Sequence, residues 1–232
     1  LSAAGGAISL NAGPAGTLLI SGRIDVSATT LGSVGGAVHL LGNRVGLLDG
    51  ARVEASGAAG GGEVLVGGDY LGRNVQVLSA ARTTVSKGAE IRANALESGS
   101  GGRVIVWSTE GTRFEGSISA RGGSQGGDGG FVETSGKAWL NATGTVDAQA
   151  VSGAAGVWLL DPYNISIEAN PTTNIDSTTT PGTFEATGDD AVLDVAELVL
   201  ALEGGTSVTI VTGTGGTQAG DVAFNAALVV DL

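Results

Sequence analysis

The sequence predicts an all-β chain folded as a right-handed parallel β-helix with three short strands per coil. Three observations carry that expectation: two interleaved motifs that keep step along the chain, period-two alternation inside each copy, and an unusual supply of glycine. Of 232 residues, 42 are Gly, against about 7% in an average globular chain. Gly does not fall at every third position, which excludes a collagen helix. A hydrophobic share of 42% is too high for a flexible linker. A solenoid remains, because every coil turns several times and Gly turns without steric cost.

The first motif is two small residues followed by x-apolar-x-apolar. It reads Gly5-Gly6-Ala7-Ile8-Ser9-Leu10, Gly35-Gly36-Ala37-Val38-His39-Leu40, Gly61-Gly62-Glu63-Val64-Leu65-Val66 and Gly101-Gly102-Arg103-Val104-Ile105-Val106. Gly129-Gly130-Phe131-Val132-Glu133-Thr134 is a weaker copy, followed by Ala155-Gly156-Val157-Trp158-Leu159-Leu160 and Ala219-Gly220-Asp221-Val222-Ala223-Phe224. Successive copies start 30, 26, 40, 28, 26 and 64 residues apart. The second motif, Gly-x-Ile/Val-x-Ala/Val with an optional extra residue after the Gly, centres on Ile24, Val53, Ile91, Ile118 and Val146, at spacings of 29, 38, 27 and 28. The long interval shared by both motifs marks an insertion near residues 69–85. The gap of 64 marks a larger irregularity after residue 160.

Each period holds three strand signals. In residues 35–60 they are Val38-His39-Leu40, Val45-Gly46-Leu47 and Val53-Glu54-Ala55, separated by Gly42-Asn43 and Asp49-Gly50. Strands this short bury their apolar sides only by stacking coil on coil, so Ile8, Val38, Val64, Val104 and Val132 are expected to point inward in one column. Coils about 4.8 Å apart make roughly nine coils into a rod on the order of 40 Å long. Right-handedness follows the general preference of parallel crossovers. An antiparallel sandwich explains the strands equally well but gives no reason for two phase-locked motifs.

One stretch leaves the β pattern. Val195, Leu198, Val199 and Leu202 stand at helical spacing, Asp194 with Glu197 resembles a capping box, and Gly204-Gly205 ends the run. A short helix is therefore expected near residues 191–203, after a Thr-rich loop over 170–190 and before a strand at Ser207 to Ile210. The chain reads as regular coils over 1–168 and an interrupted continuation over 169–232.

Charge divides the chain in the same way. The net charge is −12. Residues 1–150 carry 12 acidic and 11 basic side chains, whereas residues 151–232 carry 11 acidic ones and no Lys or Arg. A nucleic-acid backbone needs clustered Lys and Arg, so nucleic acid is not an expected partner. With no Cys there is neither a disulfide scaffold nor a thiolate zinc site. No apolar run reaches the length of a membrane-spanning helix. Leu1 to Leu10 lack the basic start of a signal peptide, which places any targeting signal outside this stretch. The whole is read as a fragment of a longer rod.

These residues resemble the exoproteins of bacterial two-partner secretion, the filamentous-haemagglutinin-like adhesins. The most specific stretches are Gly60-Gly61-Gly62-Glu63-Val64-Leu65-Val66-Gly67-Gly68-Asp69-Tyr70, Gly101 to Trp107, Gly127 to Gly136, and Leu159-Leu160-Asp161-Pro162-Tyr163-Asn164-Ile165. The resemblance implies a large secreted β-helical rod at the bacterial cell surface. It also implies export through a dedicated outer-membrane transporter and attachment to a host or surface receptor. Within that family the region is similar to the rod immediately after the amino-terminal secretion domain. Haem-acquisition exoproteins belong to the same family, so binding of a haem carrier through an extended loop is one alternative. A β-helical polysaccharide-active enzyme is another.

Candidate chemistry is sparse. His39 is the sole His, which argues against a Ser-His-Asp triad or a multi-His metal site, and alternation sends it outward. Carboxylate pairs alone can cleave polysaccharides. Yet Asp25, Glu54, Glu90, Glu133 and Asp147 are spread along the chain and read as a solvated, ion-paired face. Asp189, Asp190, Asp194 and Glu197 lack the regular spacing of calcium loops, and the glycine-rich Gly213 to Gln218 has no following Lys to hold a phosphate. Trp107 falls on the outward phase, where an exposed ring could stack on a sugar; Trp158 falls inward, and Trp139 cannot be phased. Asn141-Ala142-Thr143 and Asn164-Ile165-Ser166 are N-glycosylation sequons, making Asn141 and Asn164 candidate modification sites. No catalytic residue, metal or cofactor is expected, and the chain reads as a non-enzyme.

Overall fold

The computed structural model describes residues 1–137, 140–161, 165–170, 191–208 and 222–230. Five coils of three strands follow one another. The first holds β1 (Ala7–Asn11), β2 (Thr17–Ile20) and β3 (Arg23–Asp25), and the second β4 (Ala37–Leu41), β5 (Arg44–Leu47) and β6 (Arg52–Glu54). The third holds β7 (Glu63–Val66), β8 (Arg82–Val85) and β9 (Glu90–Arg92), and the fourth β10 (Arg103–Ser108), β11 (Gly111–Phe114) and β12 (Ser117–Ser119). The fifth holds β13 (Phe131–Gly136), β14 (Leu140–Ala142) and β15 (Thr145–Asp147). Beyond them come β16 (Val157–Asp161), β17 (Ile165–Glu168), β18 (Ala191–Asp194), the helix α1 (Val195–Glu203), β19 (Ser207–Val208) and β20 (Val222–Phe224).

The strands stack in parallel into three faces, in the orders β1-β4-β7-β10-β13-β16-β19, β2-β5-β8-β11-β14 and β3-β6-β9-β12-β15. Among the described residues seven strands on the first face enclose six turns, where nine are expected along the whole chain. After residue 161 the described residues form β17, β18, α1, β19 and β20. The register matches the motifs residue for residue. Ile8, Val38, Val64, Val104, Val132 and Trp158 face one another across successive strands. Ile24, Val53, Ile91, Ile118 and Val146 do the same on the third face. All of these are buried except Ile8, which is half-buried and packed on the core. Each buried aliphatic side chain contributes about 1.5–3 kcal/mol of transfer free energy. That gain is available only to stacked coils, since three-residue strands have no partner within their own coil.

The glycine pairs of the first motif form the corner between the third and first faces. There the chain turns so closely against its neighbours that a Cβ on Gly61 would collide with Ala93 O and Gly102 N. The second residue of the motif donates its N–H to a carbonyl just after the preceding third-face strand: Gly62 to Ala55, Gly102 to Ala93, Gly130 to Ala120 and Gly156 to Ala148. The repeated small residues are thus a packing requirement of the corner.

The stacking changes character after β16. β17 pairs with β18 on one side and β20 on the other, forming a separate three-stranded sheet. Val222 of the last motif copy therefore pairs with Ile165 on that sheet, and Trp158 is followed in the first column by Val208, 50 residues on. Helix α1 begins at Val195, four residues later than the start of the expected span. Ala191–Asp194 pair residue for residue with β17, whose edge would otherwise be open, and Leu193 is buried beside Ile167. Asp194 caps the helix, accepting the Ala196 N–H at 3.0 Å, and Gly205 (φ +72) follows its end. Leu198 and Ala201 are buried, and α1 packs against β15, β18 and β19. Most of the Thr-rich loop, Thr209 and Ile210, and the stretch Gly213 to Gln218 lie outside the described residues.

Candidate functional site

The outward side of the first face is where this solenoid departs from a simple rod. Its outward column runs Ser9, His39, Leu65, Ile105, Glu133, Leu159. From Leu65 onward these side chains are buried. The cover over Leu65, Ile105 and Glu133 is the insertion between β7 and β8, residues 69–79, which folds back onto the strands as a flap. Gly67 (φ +80) turns the chain out of β7. Asp69 then caps a 3-10 turn over Tyr70–Gly72, accepting the Tyr70 N–H at 2.7 Å. Leu71 sits at φ +54, a conformation that is strained for a side chain of this size.

Two kinds of contact hold the flap. Beneath it Leu65, Ile105 and Trp107 form an apolar cluster with Tyr70, Val77 and Phe131 around it. Tyr70 meets Phe131 edge to face with centroids 5.7 Å apart, and Gly68 and Gly72 lie so close on the Trp107 indole that a side chain at Gly72 would collide with it. At the rim Arg103 reaches Glu63 Oε2 at 2.8 Å and Asp69 Oδ1 at 2.5 Å, while Asn74 Nδ2 donates to Asp69 Oδ2 at 2.8 Å. Burial pushes the Asp69 carboxyl up, but Asn74, Arg103 and the Tyr70 N–H outweigh it and leave it below the usual carboxylate range. Val75 at the tip is 97% exposed.

Glu133 lies at the centre of the flap's footprint with no exposed surface. Both carboxyl oxygens face the Leu71 N–H, at 3.2 and 3.3 Å. Burial pushes the carboxyl up to about 8; the Ser135 hydroxyl, the Leu71 N–H and Arg103 pull the other way and lose. Tyr70 Oη and Ser135 Oγ are buried nearby without a well-formed hydrogen bond. A raised carboxyl is what a general acid requires, but this one is sealed from substrate.

The third face carries a charge ladder. Its outward columns run Arg23, Arg52, Glu90, Ser117, Thr145 and Asp25, Glu54, Arg92, Ser119, Asp147. Arg23 meets Asp25 at 2.7 Å, Arg92 meets Glu90 at 2.9 Å, Arg121 meets Asp147 at 3.2 Å, and Arg52 also pairs with Glu90. The Ser27 hydroxyl, helped by Arg23, holds Asp25 down to about 2, and Arg52 holds Glu90 below the usual range. Glu90 and Asp147 also line a groove of about 810 Å³ beside α1, together with Arg92, Asn94, Arg121 and Gln149. A second groove of about 950 Å³ follows the glycine corner along the rod.

The other chemically notable side chains are scattered over the rod. His39 is partly exposed with Nε2 2.9 Å from Glu63 Oε1. Trp107 points outward, as its phase requires, yet is only 4% exposed because the flap covers it; it offers no stacking platform. Trp158 points inward and donates to Thr134 Oγ1 at 2.9 Å. Asn141 is half-buried on β14, the edge strand of the second face. Trp139, Asn164, Asp189 and Asp190 lie outside the described residues. Among the described residues no group of three or more His, Asp or Glu comes together as a metal site, and no helix is long and apolar enough to cross a membrane. The alternation rule missed the burial of Glu133, because nothing periodic announces an insertion's landing place.

Over the described residues, fold and surface define a parallel β-solenoid with a flap on its first face and a charge ladder on its third. No family model matches the chain, and no curated protein matches it. Among solved structures, the HMW1 secretion domain from Haemophilus influenzae is similar to it at 28% identity and a TM-score of 0.48, over 69% of this chain. The likeness takes in 47% of that chain, so it spans about half its length.

Proposed function

We propose that the chain is a structural and adhesive stretch of a secreted bacterial surface exoprotein of the two-partner type, without catalysis of its own. The observation that carries this reading is the register. The stretches that resemble the family, from Gly61 to Val66, Gly101 to Val106 and Gly129 to Thr134, are the ones that stack strand on strand along the first face. On this reading an outer-membrane transporter exports the chain, the rod continues beyond the segment that guides export, and its lateral faces meet a receptor. The non-enzymatic part is supported by the acidic residues of the third face, most of which are tied to Arg neighbours, and by the sealing of Glu133 under the flap.

Two measurements test it. Surfaces coated with the purified chain should retain several-fold more cultured epithelial cells than albumin-coated ones, with retention abolished by soluble chain; retention at the albumin level overturns the adhesive reading. Incubation with pectin, hyaluronan or alginate should release no new chain ends. Turnover that a single Asp or Glu substitution abolishes would overturn the non-enzymatic one.

A further inference from the structure

We infer that residues 69–79 are a pH-sensitive flap, latched over the first face while Glu133 is neutral and lifted when that carboxyl ionises. The geometry carries most of the case. Glu133 is the pivot of the footprint: it is fully buried, it accepts from the flap's own backbone at Leu71, and it lies among Ile105, Leu159 and the flap. The groups facing it are few. From the flap come the Asp69 carboxyl, which repels a second negative charge, and the neutral Tyr70 phenol. From β10 comes Arg103, whose guanidinium is already engaged by Glu63 of β7 and by Asp69. On β13 itself there is the Ser135 hydroxyl. One N–H at more than 3 Å, one hydroxyl without a well-formed hydrogen bond and one shared guanidinium do not replace the water that an ionised carboxylate loses on burial.

The flap, not the strand, is the part able to yield. β13 is held between β10 and β16 by ladders on both sides, whereas the flap rests on one apolar cluster, one ion pair and a turn with Leu71 in a strained conformation. Segments with so few anchors open at low cost relative to global unfolding. The direction comes from linkage. A glutamate exposed to water lies at 4.5, and burial under the flap pushes Glu133 up to about 8. Closure is therefore fully favoured below about 4.5, weakens as pH rises, and has lost the whole contribution above about 8. Opening brings water to Trp107 and uncovers Leu65, Ile105 and Phe131.

Acrylamide quenching of tryptophan fluorescence across pH 6 to 9.5 tests this on the whole chain. In the wild type the quenching constant should rise about twofold between pH 6 and about 8 and level off above that. In Glu133→Gln, which keeps an acceptor for the Leu71 N–H and cannot ionise, it should stay flat. A rise of equal size in both, or no rise in the wild type, overturns the switch. Should the variant not fold, hydrogen exchange of the wild type decides the matter. After correction for intrinsic rates, protection lost in residues 69–79 alone as pH rises from 6 to about 8 supports the flap, and unchanged protection there or loss throughout the chain refutes it.

Discussion

Two glycines illustrate how this chain uses a residue that elsewhere only loosens structure. Gly101 turns the corner into β10, and a Cβ there would meet Ala120 O and Gly130 N of the neighbouring backbone. Gly22 has open space around it and needs no left-handed conformation. Gly101→Ala should therefore destabilise by about 1–3 kcal/mol, the cost of forcing atoms into a packed interior. Gly22→Ala should be neutral or stabilise by about 0.4–1 kcal/mol through the unfolded state. Urea unfolding midpoints of the two variants check the contrast, and equal effects would contradict the corner packing. The corner glycines are legible in the sequence because they recur in step with the strands. Glu133 is not, since alternation assigns it to solvent and the insertion that buries it carries no periodic signal.

Elements show the same division. Among strands β1 to β16, those of the first and third faces are set by two motifs because each apolar side chain has the same neighbour one coil away. Helix α1 is legible from its apolar spacing and its Asp cap, but Ala191–Asp194 are not legible as a strand. Their pairing with β17 depends on an edge that exists only once the rod is built. The helix stripe makes its own prediction. Leu198 is buried against the end of the rod, and Leu198→Asp places a charge there at a cost of roughly 2–4 kcal/mol. In a solenoid that cost falls first on the nearest layer. Hydrogen exchange should show residues 191–208 losing protection while residues 1–137 keep theirs. Uniform loss along the chain would mean a single cooperative unit.

For the whole molecule, the flap, the charge ladder and the exposed faces all depend on the parallel register. Two phase-locked motifs are enough to propose it. The number of turns is not legible, because a gap between motif copies does not say whether the intervening residues form coils or something else. The chain has no native Cys, so pairs of introduced cysteines can carry spin labels without background. Arg23, Glu90, Ser117 and Thr145 share one outward column at successive heights. Pulsed electron resonance on the doubly labelled pairs Arg23 with Glu90, with Ser117 and with Thr145 measures that column directly. Stacked coils require mean distances that lengthen by about 4.8 Å per strand, so that the last pair exceeds the first by roughly 10 Å. Distances that fail to increase in this order, as an antiparallel sandwich would give, contradict the solenoid.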